Sequence, residues 1–321
     1  MTPFWLSVRL PCGLVFPNHL CKAAMAENLA TSDSNPNEDF NLAYSKWSYG
    51  GWGMIITGNV QVDVNHLGNF KDPAKAYAEA SQKHGTPTII QIAHRGRQSL
   101  RGAGRRGLFA PTIAPSAIPL SIGTNFLDSV ITSLAFPKPR ETDQKDIHNV
   151  IQSGFSGIEL HAAHGYLLET NHRTDAYGGS AENRVKLLEI IKGCREVVPA
   201  TFCIGIKLNS ADHSVLNLED TMTQIRLLVE AGIDFLEVSG GTYENPRRFP
   251  NLVLMLTGGF RSRAGAEAAI RENACDLVGI ARPAAVNPKF AALLLDEDTS
   301  DEDAQISLDR LLHLLAESAL R

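Results

Sequence analysis

Eight short apolar, β-branched runs recur along this chain, and helical patterns separate most of them. The runs lie near Leu20–Met25, Gly53–Asn59, Thr88–Ala93, Gly157–His161, Phe202–Leu208, Phe235–Ser239, Leu252–Thr257 and Asp276–Ile280. Apolar residues three and four apart mark the helix faces between them. Val185, Leu188, Ile191 and Cys194 form one face, with Ser180 placed to cap it and Glu182 in its first turn. Ile225, Leu228, Val229 and Ala231 form another, closed by Gly232, and Ala264, Ala268 and Ala269 supply a third. Strand–helix alternation repeated eight times predicts an α/β fold: a closed (β/α)8 TIM barrel in one domain over residues 1–321. A doubly wound open sheet is second, and no GxGxxG follows the first strand to support it.

Two connections depart from simple alternation. Residues 94–142 form a long excursion rich in Gly, Pro and Ser, a length typical of functional lids or of disordered segments. The stretch Gly240 to Asn251 is the opposite, close to the minimum for a parallel crossover. Pro246 and Pro250 disfavour a helix there. One or two outer helices are therefore expected to be shortened or missing.

A chain of 321 residues with 44% hydrophobic and 20% charged content has the make-up of a soluble globular protein with a large core. Its net charge of −5 gives no reason to expect nucleic acid. The one basic cluster, RGRQSLRGAGRR from Arg95 to Arg106, reads as a solvated loop within reach of an anion. Five scattered cysteines (Cys12, Cys21, Cys194, Cys203, Cys275) point to reduced thiols and a cytoplasmic setting. No signal-peptide pattern opens the sequence, and no apolar run reaches membrane-spanning length.

The chemistry concentrates at predicted strand ends, where such barrels carry their active sites. The fourth run ends in His161 and His164, followed by Tyr166. Two imidazoles and a phenol there can hold a carbonyl oxygen and deliver a proton beside it. Histidines at strand ends also serve structure alone, and His–x–x–His could be half of a zinc site, but no glutamate lies between the two and no third ligand sits at a typical spacing. Met25, Asn59, Gln91, Lys207 and the Thr257–Gly259 segment also lie at strand ends, which makes a shared pocket the simplest reading. Lys207 interrupts an apolar strand, which is costly unless an anion meets it or its head snorkels to the mouth.

With these positions in order, the chain resembles a fungal member of the Old Yellow Enzyme family, the NADH:flavin oxidoreductases. The resemblance runs from about Leu10 to Pro288. It rests on KAAMAEN (Lys22–Asn28), GGWGMIITGNVQV (Gly50–Val62), QIAHRGRQS (Gln91–Ser99), APSAIPL (Ala114–Leu120), HAAHGYLL (His161–Leu168), RTDAYGGSAENR (Arg173–Arg184), IKLNSAD (Ile206–Asp212), TGGFRSRAG (Thr257–Gly265) and CDLVGIARP (Cys275–Pro283). It implies FMN at the carboxyl end of the barrel and NADH or NADPH as reductant. Ala24, Met25 and Ala26 would pass beside the flavin ring, with Asn59 and Gln91 at its pyrimidine edge. Lys207 would face the negative N1–O2 region. Gly258, Gly259, Ala281 and Arg282 would hold the phosphate, with the helix after Phe260 directing N–H groups toward it. Tyr166, His161 and His164 would be catalytic, reducing the C=C bond of a small α,β-unsaturated carbonyl compound. Fungal relatives are associated with secondary-metabolite pathways.

The chain departs from the family pattern in places. Ala281 stands where relatives carry Gly, and only Glu169 and Thr170 separate Leu168 from Asn171, where relatives carry a longer Phe-Leu-Ser-Pro loop. Much of the helix before strand four and the long loop and helix after Tyr243 are also absent. A trimmed working barrel, a degenerate relative acting as a binding or scaffold protein, and a mis-spliced gene product all fit that pattern.

Overall fold

The computed structural model describes residues 4–31, 36–61, 78–103, 105–114, 120, 132, 135–136, 139–141, 155–164, 166, 187–209, 218–239, 249–307 and 309. Its centre is a ring of eight parallel strands: β1 (Leu20–Lys22), β2 (Met54–Ile56), β3 (Thr88–Ala93), β4 (Gly157–Ala162), β5 (Cys203–Asn209), β6 (Phe235–Ser239), β7 (Val253–Thr257) and β8 (Leu277–Ile280). Neighbours pair in chain order, and β8 pairs with β1 through Val278 and Leu20, which closes the barrel. Every expected strand is present, and two match their predicted bounds.

Closure follows from side chains alternating between two apolar environments. On β5, Cys203 points into the barrel beside Met54, Ile89, Phe235, Met255 and Leu277. Its neighbours Ile204 and Ile206 point outward. They pack against α3 (Leu187–Val197) through Ile190, Ile191 and Cys194, and against α4 (Leu218–Glu230) through Leu228. On the far side, Leu20, Ile55 and Val278 meet α1 (Glu38–Ser48) through Phe40, Tyr44 and Trp47. Asn37 caps α1 by accepting from the Phe40 N–H, with Glu38 and Asp39 in the first turn.

The helix faces read from sequence agree in part. Leu228 is buried and Gly232 ends the α4 segment at φ 98, as expected. On α5 (Arg263–Arg271) the buried face is Ala266 and Ile270, whereas Ala264 is exposed. Three small alanines gave too weak a signal there, and the larger Ile270 sets the face. Ser180, Glu182, Val185 and the Leu188 side chain lie outside the described residues. So do residues 142–154, 167–186 and 240–248, where the family departures fall; residues 249–252 contain no helix.

The amino-terminal hairpin, Val8–Arg9 against Val15–Phe16, plugs the barrel floor. Phe16 is fully buried among the interior residues. A polar clasp fixes the hairpin. Asp234 accepts from the Cys12 N–H at 2.9 Å and the Ile204 N–H at 2.8 Å, and pairs with Arg195 at 2.5 Å.

Candidate active site

At the carboxyl end of β4, His161, His164 and Tyr166 form one cluster. The Tyr166 ring stacks on His161 with centroids 4.3 Å apart, and the His164 ring meets His161 edge-on at 5.0 Å. His161 and Tyr166 are buried, while His164 sits at the exposed lip. The Ala163 N–H donates to His161 Nδ1, which leaves the ring proton on Nε2 as a free-standing donor. His164 holds a left-handed backbone at φ 60, uncommon outside glycine, Asn, Asp and His. The end of β5 supports that conformation: Asn209 Oδ1 accepts from the His164 N–H at 3.1 Å. At the end of β6, Ser239 Oγ meets His164 Nε2 at 3.2 Å.

Both imidazoles are neutral near neutral pH. Burial, then the charges of Lys207, His164 and Arg95, holds His161 well below the ordinary histidine range. Partial burial and Lys207 also lower His164, against an opposing pull from Glu237. The pair therefore donates hydrogen bonds without readily giving up a proton.

Beneath the cluster the barrel interior carries a charged layer. Lys207 is the direct neighbour of His161 on one side and of Glu237 on the other. Its Nζ donates to Glu237 Oε1 at 2.6 Å. Glu237 is thus the anion that a lysine in an apolar strand demanded. Gln91 Nε2 donates to Glu159 Oε2 at 2.6 Å. The remaining oxygens, Glu159 Oε1 and Glu237 Oε2, are buried, and the two carboxyl groups lie within hydrogen-bonding reach of each other. One shared proton resolves this. Burial, then Glu237, pushes Glu159 well above the carboxylate range, so Glu159 holds the proton. Burial opposes ionisation of Glu237, but Lys207 outweighs it and keeps Glu237 low. Burial likewise opposes the charge on Lys207, and the Glu237 carboxylate overcomes it.

Around this layer the rim suits an extended group with a flat polar end and an anionic end. Ala24, Met25 and Ala26 form a partly exposed stretch after β1. Beyond β2, Asn59 Oδ1 and both amide atoms of Gln61 are buried without hydrogen-bond partners. Across the mouth, Gly258 (φ 148) and Gly259 (φ 72) turn the chain after β7, and a Cβ at Gly259 would meet nothing within 4 Å. Ala281 and the exposed Arg282 follow β8 beside that turn. The nearby helix α5 begins at Arg263, with Ser262 as its cap. These residues fit FMN: free amides for the pyrimidine edge, an open glycine turn and an arginine for the phosphate.

The structure also brings in residues that the sequence reading passed over. Glu159 and Glu237 interrupt apolar strands just as Lys207 does, and that signal was available. Gln61 follows the same strand end as Asn59. The sequence predicts a solvated loop around Arg95. Instead its guanidinium donates to Tyr166 Oη and lies 4.8 Å from the ring centroid. Arg101 and Arg106 bind the backbone carbonyls of Leu108, Ser99 and Leu100. Glycine in a loop signals turning, not solvation, and these guanidiniums serve the turns. The other three-donor group among the described residues, Cys12, Cys203 and Asp234, lies at the barrel floor, its carboxylate already engaged in the clasp.

The model of the NADH:flavin oxidoreductase / NADH oxidase family matches residues 15–248. The chain belongs to that family. NADH:flavin oxidoreductases similar to it include iliE of Hypocrea jecorina (strain QM6a), 38% identical over 365 residues covering 94% of this chain and 91% of the relative. Another is iccE of Talaromyces variabilis, 41% identical, covering 88% and 84% respectively. Both are NADH-dependent flavin oxidoreductases. Among solved structures, morphinone reductase in complex with tetrahydroNAD superposes with a TM-score of 0.74 at 23% identity, covering 92% of this chain and 91% of that one. The old yellow enzyme homologue from Zymomonas mobilis gives 0.72 at 20% identity over 97% and 96%. Those likenesses show the barrel fold. As a member of the NADH:flavin oxidoreductases, the protein is an FMN-dependent enzyme that uses NADH or NADPH.

Proposed function

We propose that the protein reduces the activated C=C bond of a small α,β-unsaturated carbonyl compound. The observation that carries this is a pair of neutral imidazoles packed on a phenol at the rim of the barrel. FMN, reduced by NADH or NADPH, supplies the hydride that goes to the β-carbon. Ala24, Met25, Ala26, Asn59, Gln91, Lys207, Gly258, Gly259, Ala281 and Arg282 would hold it.

His161 and His164 take the carbonyl oxygen. Their N–H groups stabilise the negative charge that gathers on that oxygen as the β-carbon accepts hydride. Neutral donors suit this role, because they bind the oxygen without protonating it. The α-carbon must then receive a proton from a different group. Tyr166 is the phenol in place, and it donates its hydroxyl proton and recovers one from solvent. The product is the saturated carbonyl compound.

The test begins with a purified protein whose flavin absorbance bleaches under NADH without oxygen. Addition of 2-cyclohexen-1-one then restores the colour. Tyr166→Phe should slow that reoxidation by about 100-fold or more, and an unchanged rate would remove the phenol from the mechanism. Removing both imidazoles should cost at least about 100-fold as well. A colourless protein that takes up no added FMN would leave a binding or scaffold role instead.

A further inference from the structure

The turn after β3 carries two side chains that reach across to the loop after β4, and nothing so far assigns them work. Gly96–Gln98 forms a single 3-10 turn opened by Arg95. The Gly96 N–H donates to His94 Nδ1 at 3.0 Å, and Gly96 adopts φ 56, so the chain reverses tightly at the rim. Residues three apart stand above one another in such a turn. Arg95 and Gln98 are three apart, and both point at the neighbouring loop. Gln98 Nε2 donates to the His164 carbonyl, and Arg95 Nη1 donates to Tyr166 Oη. The guanidinium also lies over the phenol ring, which stacks on the His161 ring and meets the His164 ring edge-on.

We propose that Arg95 is a positioning residue for Tyr166, and that it makes this phenol a directed proton donor. The inference rests on the ene-reduction reading above. A phenol oxygen both accepts and donates. With Arg95 donating to the oxygen, the hydroxyl proton is turned away from the guanidinium. When Tyr166 gives that proton to the α-carbon, the oxygen is left negative. A fixed guanidinium in contact with it stabilises that charge, more strongly than the same pair would interact in water. Arginine suits the role because its charge is permanent and its fork rigid. Gln98 complements it by donating to the His164 carbonyl, so the turn holds the chain just after β4 at two points.

Arg95→Ala tests the assignment by dividing the catalytic cycle. Reduction of the bound flavin by NADH should proceed as in the unsubstituted protein. Reoxidation by 2-cyclohexen-1-one should slow by about tenfold or more, and added guanidinium chloride at non-denaturing concentration should restore part of the rate. Arg95→Lys should fall between, keeping charge without the fork. A second readout needs no turnover. The ultraviolet Raman doublet of Tyr166, isolated by difference against Tyr166→Phe, should report an oxygen that accepts a strong hydrogen bond and should lose that character in Arg95→Ala. An unchanged doublet, or equal slowing of both half-reactions without rescue, overturns the proposal. Failure of the proton-donor reading looks different: Tyr166→Phe would reoxidise normally while the doublet still responded to Arg95.

Discussion

At the residue scale, the site is governed by charges that share too little water to act independently. Neutral His161 is a consequence of burial beside Lys207, and it gives a pH prediction with a definite sign. Its folded pKa lies well below the ordinary value of 6.5. Alkene-dependent reoxidation should therefore show no histidine titration near pH 6.5, and any acid limb from this ring should appear lower. Stability follows the same sign. The contribution of this depressed group is complete above the unfolded value and is lost as pH falls below it, because the unfolded ring binds a proton that the folded ring refuses. Denaturant titrations at descending pH should show that loss, reduced in His161→Asn. Lys207 and Glu237 form the other critical pair. Lys207→Met leaves a buried carboxylate without its cation, at a cost of about 3–5 kcal/mol. Adding Glu237→Leu should recover much of it, and unfolding midpoints of the single and double variants measure the difference.

At the element scale, the barrel interior is fitted by glycines at positions that face bulky neighbours. On β5, a Cβ at Gly205 would stand 2.1 Å from the Phe235 ring. At Gly157 it would stand 2.4 Å from the Cys203 carbonyl, and at Gly279 2.0 Å from Thr257 Oγ1. These are interior positions of β4, β5 and β8, so a methyl group at any of them displaces a filled layer. Gly205→Ala should destabilise the protein by about 1–3 kcal/mol. Phe235→Leu in the same chain should relieve part of that strain, which thermal unfolding of the three variants would reveal. Strand positions were readable because both faces are mostly apolar. Interior was not distinguishable from exterior along those runs, since Ile204 and Cys203 look equally suited to burial. Glu159 and Glu237 stand out there as charges, but only the structure turns them inward, one residue away from outward-facing Leu160 and Leu236.

At the scale of the whole molecule, the open ends of the barrel have opposite characters. The floor is apolar and sealed by the hairpin, with Phe16 fully buried and Asp234 tying Cys12 to β5. The mouth carries the polar rim, the histidine pair and the glycine turn. This asymmetry keeps water out of the charged layer from below while leaving access from above. Phe16→Ala should cost about 3–5 kcal/mol. If the floor merely seals the core, FMN content per folded molecule should stay constant while the unfolding midpoint falls. Parallel measurement of flavin absorbance and denaturant unfolding checks this.

The sequence alone determined the ring of strands, because the alternation of strand and helix admits few closed arrangements of parallel elements. It also determined His161, His164 and Tyr166 as a group, since five residues of loop and strand end cannot carry them far apart. Only the tertiary structure decided which charge meets which. Lys207 and Glu237 are thirty residues apart in the chain and hydrogen-bonded in space. Arg95 and Tyr166 are separated by 71 residues and joined at the rim. Such pairings depend on strand register and on the turn of a loop at a strand end. Those are set by how the closed barrel fills its interior, and no local pattern encodes them.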